Sequence, residues 1–339
     1  MVKIGFCDFW SSFNPNSNFI TNTIKTFADV SIVPFQSADY VFFSVFGDQH
    51  LEAPNESIKI FYTGENICPD FNLCDYAIGF EWLDFADRYL RYPLYLTYEN
   101  INELMEKKHI FSHKFSIDTK KEFCSFTVSN ERGHPIRKEL FLELSKYKLV
   151  NSGGKWLNNI GEPIKDKLSF DLMHKFSIVC ENSSHPGYTT EKIVQAFAAR
   201  TIPIYWGDPC ITKIFNQKSF INVHNYNNVN DLTKDIIKID NNNDEYFNYL
   251  KEPALLSSQY SSTTYNQKLK DFLSNIIEQP IEKAQRRNRY FWGEIYINRM
   301  KNNVYRVSEH QSLKDHIKTT IYNLPITQTI LKFKNKISI

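Results

Sequence analysis

The sequence predicts an α/β protein made of two Rossmann-like, doubly wound domains that face a cleft. At 339 residues the chain is long enough to bury two substantial cores. Its amino-terminal part alternates short strand-like and helix-like segments, the pattern of a parallel sheet wrapped by helices. A second set opens near Phe123, and within it residues 176–206 read strand, helix, strand, the βαβ unit from which parallel sheets grow.

Taken in order, apolar runs place strands at residues 2–7, 31–35, 40–46, 59–63 and 76–80, with the clearest helix of this part at 20–27. The charged stretch 107–121 breaks the apolar pattern and is the expected linker. It divides an amino-terminal domain, 1–118, from a second domain, 119–300. The second set begins with a strand at 123–128, followed by helices at 136–146 and 190–200. Residues 225–243 are polar and rich in asparagine, and read as loops around a short helix. No repeat of 20–50 residues is present.

The segment from Phe176 to Pro209 is the most informative. Phe176–Cys180 has strand length, Ile193, Val194, Phe197 and Ala198 recur at helical spacing, and residues 202–206 form the next strand. Between them, the polar loop opens at the carboxyl edge of a parallel sheet, where ligands bind such folds. Glu191 and Lys192 fall in the first turn of the helix, where unpaired N–H groups and the positive dipole end favour an anion. An ordinary loop satisfies the same pattern, with Glu191 serving the dipole and Lys192 solvated. Neither G-x-G-x-x-G nor G-x-x-x-x-G-K-[ST] occurs in the segment.

The run Glu181-Asn182-Ser183, then His185-Pro186-Gly187-Tyr188 and Thr190-Glu191-Lys192, closing on Ile202-Pro203-Ile204-Tyr205-Trp206-Gly207, resembles the signature of the α1,3-fucosyltransferases of the bacterial Lewis-antigen type. The likeness extends over about residues 58–225, through Ile60-Phe61-Tyr62-Thr63-Gly64-Glu65-Asn66, Asp75–Phe80, Leu83-Asp84-Phe85, Asp87–Arg91, and 126–130 followed by Pro135-Ile136-Arg137. Gly187 departs from it, standing where animal members commonly carry Asp. The heptad array that some bacterial members carry after the catalytic region is missing.

The resemblance implies a GT-B fold, with the amino-terminal domain binding the acceptor and the second holding GDP-fucose. It implies that Ser129, Asn130, Arg137, Asn182, Tyr188, Glu191 and Lys192 contact the donor. Arg137 offers a planar fork to phosphate oxygens and Lys192 a point charge, both suited to the negative charge that gathers on departing GDP. Glu191 suits ribose or fucose hydroxyls. Glu65, at the carboxyl end of the strand 59–63, is implied as the general base that takes the proton of the acceptor hydroxyl as it attacks fucose C1. Without the resemblance, such a glutamate reads as a turn or capping residue, and Arg137 as a solvated helix-surface arginine. Trp10 and Trp82 are the candidates for stacking on an acceptor sugar ring, although tryptophans in such domains are more often core. His185 reads as a hydrogen bonder that orders its loop.

The acceptor expected from the resemblance is an N-acetyllactosamine-type glycan fucosylated at O3 of N-acetylglucosamine, giving a Lewis x product. The alternatives are an α1,4 linkage, another GDP-sugar, or a non-catalytic glycan- or nucleotide-binding relative. Metal-bridged transferases commonly use Asp-x-Asp, and no two aspartates here are two apart. No metal or other cofactor is therefore expected to be required, with at most a stimulatory ion.

Composition agrees. Forty basic and 38 acidic residues leave a net charge of +2, which excludes strong nucleic-acid binding. Phe 27, Tyr 19 and Trp 5 supply stacking surface, though most such rings are core. Cysteines 7, 68, 74, 124, 180 and 210 form no C-x-x-C pair or zinc-finger spacing, so buried free thiols are expected. The amino terminus lacks the pattern of a secretory signal, and no run approaches the length of a spanning helix, which together predict a cytoplasmic setting. The tail, 301–339, sets Lys314, Lys318, Lys332, Lys334 and Lys336 among Ile317, Ile321, Leu324, Ile330, Leu331 and Phe333. It predicts peripheral contact with an anionic membrane, or equally a helix packing back on the domain or a frayed end, with Pro325 interrupting a continuous amphipathic face. Arg286, Arg287 and Arg289 form a second basic cluster open to the same readings.

Overall fold

The computed structural model describes residues 1–109 and 120–322, with the side chains of 308–322 left out. The first sheet contains β1 (Val2–Cys7), β2 (Val30–Ile32), β3 (Tyr40–Phe43), β4 (Ile58–Tyr62), β5 (Tyr76–Gly79) and β6 (Tyr89–Arg91), all parallel in the order β2-β1-β3-β4-β5-β6. The second contains β7 (Glu122–Phe126), β8 (Val150–Ser152), β9 (His174–Cys180), β10 (Ile202–Trp206) and β11 (Ile221–Asn222), all parallel in the order β11-β10-β9-β7-β8. Each sheet reverses its strand order beside its first strand. The loops after β1 and β3, and those after β7 and β9, therefore part at their carboxyl ends and leave a crevice.

The helices are α1 (Phe19–Ile24), α2 (Glu99–Glu106), α3 (Ile136–Ser145), α4 (Lys167–Leu172), α5 (Glu191–Ala198), α6 (Val229–Asp240), α7 (Asn243–Lys251), α8 (Ser262–Ile277), α9 (Ile281–Ala284) and α10 (Trp292–Tyr322). Every residue of β4 and β10 is buried, as parallel strands covered on both faces must be. One core joins Ile4, Phe42, Ile60 and Tyr62 of the first sheet to Ile193, Val194 and Phe197 of α5, so the domains meet along a shared apolar seam where α5 lies on α2. A second core gathers Phe126, Phe176 and Ile204 under Leu232 and Ile236 of α6.

Residues after 260 return to the first sheet. In α8, Tyr265, Leu269, Leu273, Ile276 and Ile277 form one buried stripe that packs on Ile20 and Ile24 of α1. The expected second-domain span, 119–300, thus contains a segment whose packing partners lie in the first domain.

Of the readings open to the basic cluster at 286–289, the structure shows packing back on the first domain. Arg287 and Arg289 are each 5% exposed and pair with the buried Asp75 at 2.7 and 2.9 Å. Asp75 also accepts the backbone N–H groups of Lys59, Arg286 and Arg287. Arg286 pairs with Asp87 on the surface. Guanidinium groups buried at this density are held by a carboxylate because an unpaired one would lose its hydration without return.

Two other expectations change. Within 225–243, Val229–Asp240 form α6, a longer helix than the short one expected among loops, capped by Asn228, whose side chain accepts from the N–H of Asp231. Its buried Val229, Leu232, Ile236 and Ile239 sit at helical spacing that the surrounding Asn and Asp residues obscure. The strands β6, β8 and β11 are two or three residues long, too short to show a period. Most of the expected linker and the tail lysines Lys314, Lys318, Lys332, Lys334 and Lys336 lie outside the described side chains. No helix among the described residues is long and apolar enough to cross a membrane.

Candidate active site

The crevice of the second sheet opens where the loops after β7 and β9 diverge. Arg137, one residue into α3, reaches back beneath them and is only 2% exposed. One Nη donates to the carbonyl oxygen of Asn130 at 2.8 Å and the other to Oδ1 of Asn182 at 3.3 Å. Its Nε is buried and makes no hydrogen bond among the described residues, and no carboxylate there pairs with it. Burial lowers the guanidinium pKa, yet the group remains far from deprotonation. Gly133 makes this placement possible, because a Cβ there would fall 2.0 Å from Arg137 Cζ. The result is a buried cation, held by neutral acceptors, at the mouth of the crevice. Ser129 and Asn130 are exposed on the loop beside it.

Two buried carboxylates shape the loop after β9. Glu181, fully buried, accepts from the N–H and Oγ1 of Thr190, both at 2.8 Å, and from Nζ of Lys192 at 2.7 Å. Asp208, also fully buried, accepts from the N–H groups of Gly187 and Cys210 at 2.8 and 2.7 Å and from Thr189 Oγ1 at 3.1 Å. Burial pulls the Lys192 pKa down, but Glu181 and then Glu191 reverse this, so it is raised and the ammonium stays charged. Lys192 is therefore half of a pair. Of the two candidate cations, Arg137 is the one without a carboxylate partner among the described residues.

Gly187 lies at φ +89°, and a Cβ there would stand 2.4 Å from the carbonyl oxygen of Phe80, in the other domain. No side chain fits this approach, which gives a physical reason for glycine here. Tyr188 is buried edge-on to Phe80, and burial, then Glu181 and, more weakly, Glu65 and Glu191, raise its phenol pKa.

Glu65 follows β4 on an exposed turn in which its N–H donates to Thr63 Oγ1, and its carboxylate has no hydrogen-bond partner among the described residues. Its neighbour Asn66 donates from Nδ2 to Ser183 Oγ at 2.7 Å, across the domain boundary. Glu191 faces the first domain as well, where its charge adds to burial in raising the Tyr62 and Tyr98 phenols. Those two tyrosines, with Trp10, Phe13, Asn18 and Phe19, line a pocket of about 270 Å³.

Trp10 is 38% exposed at this pocket and sits edge-on to Phe13 and Phe46. Trp82 has similar exposure, but the Arg91 guanidinium lies 4.0 Å from its ring centroid and the Lys213 ammonium 4.8 Å. Arg91 also donates to the carbonyl oxygen of Gly187. The ring thus takes part in a cation–π contact between domains. The structure brings Glu65, Tyr188, Glu191 and Lys192 to one cleft, with Arg137, Asn130 and Asn182 at its second-domain wall.

Sequence reasoning missed several residues of this cleft: Glu181 and Asp208 as loop anchors, Asn66 as the crossing hydrogen bond, Tyr62 and Tyr98 as pocket walls, and His134, which stacks on Trp206 at 4.3 Å at the same sheet edge. The available signal was position, since Glu181, Asp208, Asn66 and Tyr62 follow or end a strand, while Tyr98 and His134 stand just before α2 and α3.

Residues 4–98 match the family model described as the alpha-(1,3)-fucosyltransferase FucT N-terminal domain, and residues 117–290 that of glycosyltransferase family 10 (fucosyltransferase) C-term. Over 252 residues the chain is 36% identical to the alpha-(1,3)-fucosyltransferase FucT of Helicobacter pylori, a stretch covering 66% of this chain and 52% of that protein. The chain thus spans about half the length of that relative. It is 32% identical over 140 residues to human 4-galactosyl-N-acetylglucosaminide 3-alpha-L-fucosyltransferase 9, covering 40% of this chain and 38% of that one. Among solved structures, alpha1,3-fucosyltransferase with GDP-fucose superposes with a TM-score of 0.70 at 30% identity, covering 82% of this chain and 90% of that one. Anabaena HepE in complex with UDP-glucose superposes at 0.53 with 10% identity, covering 81% of this chain and all of that one, a likeness of fold alone.

Proposed function

Because this chain belongs to glycosyltransferase family 10, the fucosyltransferases, and has the two facing parallel sheets of the GT-B fold, we propose that it moves L-fucose from GDP-fucose to O3 of N-acetylglucosamine in N-acetyllactosamine-type glycans, with inversion at C1. The observation that carries this reading is Arg137, a buried cation without a carboxylate partner among the described residues, at the crevice of the second sheet. An unpaired buried charge is costly unless a ligand completes it, and a diphosphate supplies the missing negative charge.

In this scheme GDP lies along the loops after β7 and β9, its diphosphate on Arg137 and on the outer side of Lys192. Glu181 holds Lys192 in place, and Tyr188, Asn182 and Glu191 line the sugar and ribose. Glu65 takes the proton from the acceptor O3 hydroxyl as that oxygen bonds to C1 and the C1–O bond to GDP breaks. The electron pair leaves with the diphosphate, whose growing charge Arg137 stabilises more than it does the ground state. No metal enters these steps, and turnover is expected to persist in chelator. The acceptor ring rests in the pocket of Trp10, Tyr62 and Tyr98, and six unpaired cysteines support a reducing, cytoplasmic setting.

The test is transfer from GDP-fucose to N-acetyllactosamine, with the product linkage determined by NMR, for the wild type and Glu65→Gln. General-base catalysis contributes on the order of 10²–10⁴-fold. A loss of that size, with donor binding kept, supports the assignment. Turnover within a few-fold of wild type removes Glu65 from the role, and transfer of a different sugar removes fucose.

A further inference from the structure

We propose that Cys68, Glu81 and His185 form a divalent transition-metal site, of the zinc class, that clamps the two domains together beside the donor cleft. The thiol, carboxylate and imidazole ligand atoms all lie within 4.8 Å of one another. Cys68 lies on the loop after β4 and Glu81 just beyond β5, both in the first domain, whereas His185 lies between β9 and α5 in the second. A tetrahedral zinc site sets its ligand atoms roughly 3.5 Å apart, so small side-chain rotations complete three corners and leave the fourth to water.

Glu81 is arranged for this task. Its Oε2 accepts from Tyr89 at 3.1 Å, while Oε1 is buried and makes no hydrogen bond among the described residues. Gly79 leaves room for that pair, since a Cβ there would fall 2.9 Å from the Tyr89 oxygen and 3.1 Å from Glu81 Oε2. An outer partner that fixes one carboxylate oxygen and leaves the other open is the usual support of a metal ligand. The His185 ring is held edge-on to Phe80 at 5.6 Å, and its ring nitrogens have no hydrogen-bond partner among the described residues. Cys68 is exposed, so an ion has a path in.

The donor set selects the metal. One sulfur and one imidazole nitrogen suit zinc and its late first-row neighbours and disfavour magnesium and calcium, which prefer oxygen alone. The thiolate is the ligand form, so a metal that binds Cys68 displaces the thiol proton to solvent.

The position gives the clamp a consequence. Cys68 is three residues beyond Glu65, and His185 three before Tyr188. Both loops border the cleft assigned to the donor above, so a metal joining them holds the two domains in one arrangement and slows turnover. The site is separate from the chemistry proposed above, and its binding is measured without substrate.

The experiment uses the full chain, stripped with chelator and titrated with Co²⁺ in the absence of donor. One equivalent should bring up a sulfur-to-cobalt charge-transfer band that Zn²⁺ then displaces. Cys68→Ser should abolish the band, and Glu81→Gln should weaken Co²⁺ binding at least tenfold. One equivalent of Zn²⁺ should raise the melting temperature and slow turnover of the wild type, and do neither to Cys68→Ser. Absence of a thiolate band, or a Co²⁺ spectrum unchanged in Cys68→Ser, overturns the site. A normal cobalt titration in a chain that transfers no fucose supports the site and defeats only the functional reading.

Discussion

Asn66 donates from Nδ2 to Ser183 Oγ at 2.7 Å, joining the loop that carries Glu65 to the loop that carries Tyr188. This places the proposed base in register with the donor loop, and a base slightly out of place loses much of its effect. Asn66→Ala is expected to lower kcat about tenfold, since misplacement by about 1 Å can cost up to 10²-fold. Its KM for GDP-fucose should change little. The lost hydrogen bond is partly buried and is worth about 1 kcal/mol. Steady-state kinetics beside urea unfolding separate the two effects, and equal losses in kcat and stability would count against a positioning role.

Arg137 presents a trade between stability and function. Its charge is buried without a carboxylate, and its Nε has no hydrogen-bond partner among the described residues. Replacing such a group by an apolar side chain of similar length is often neutral or stabilising. Arg137→Met is therefore expected to melt, ligand-free, at or above the wild-type temperature, while the rise in melting temperature induced by GDP disappears. A large fall in ligand-free stability would show that the guanidinium is mainly structural, holding the Asn130 carbonyl and the Asn182 side chain.

The two parallel sheets were legible because their longer strands are short apolar runs separated by polar turns. Helix α5 was legible from Ile193, Val194 and Phe197. The anchoring of the donor loop was not, because its bonds are not local. Glu181 meets Thr190 nine residues on, and Asp208 reaches back twenty-one to Gly187. In sequence each carboxylate reads as a solvated turn residue after a strand. The return of α8 to the first sheet was hidden for a related reason. Its apolar stripe shows that Leu269 and Leu273 are buried, but a stripe does not say against what. Arg287 and Arg289 read as a basic surface because Asp75, more than two hundred residues earlier, is absent from any local window.

Gly187 is the residue at which backbone and neighbour agree most closely. Its φ of +89° strains any L side chain, and Phe80 O occupies the place of a Cβ at 2.4 Å. Gly187→Ala is expected to lose about 2 kcal/mol or more, the backbone strain adding to the clash. Gly187→Asp, the change toward the animal pattern, should lose at least as much, because the same Cβ must be housed. Chemical denaturation checks both, and a variant as stable as wild type would mean that the loop has moved away from Phe80.

The buried lysines set the direction of the pH dependence of stability. Burial lowers the pKa of Lys59 to about 7, with Arg287 and Lys301 adding to the effect, and burial does the same to Lys108 and Lys120. In the unfolded chain these groups hold their protons up to their ordinary range near 10.5. Between pH 7 and that range the unfolded state therefore binds more protons, and stability must rise with pH, by at most about 1.4 kcal/mol per unit for each lysine. Above about pH 9, the ordinary value for a thiol, Cys74 subtracts from this slope. Cys74 has its pKa raised mainly by burial, so the unfolded thiol ionises while the folded one does not. Urea unfolding should therefore give greater stability at pH 8.5 than at pH 7, with a shallower rise beyond pH 9. Lys59→Met, which leaves the apolar stem but removes the ammonium that donates to the His50 carbonyl oxygen at 2.7 Å, should flatten the rising limb. Stability that fell steadily from pH 7 to 8.5, or a limb unchanged in Lys59→Met, would mean that the folded protein keeps these ammonium groups charged, by local opening or by water reaching them.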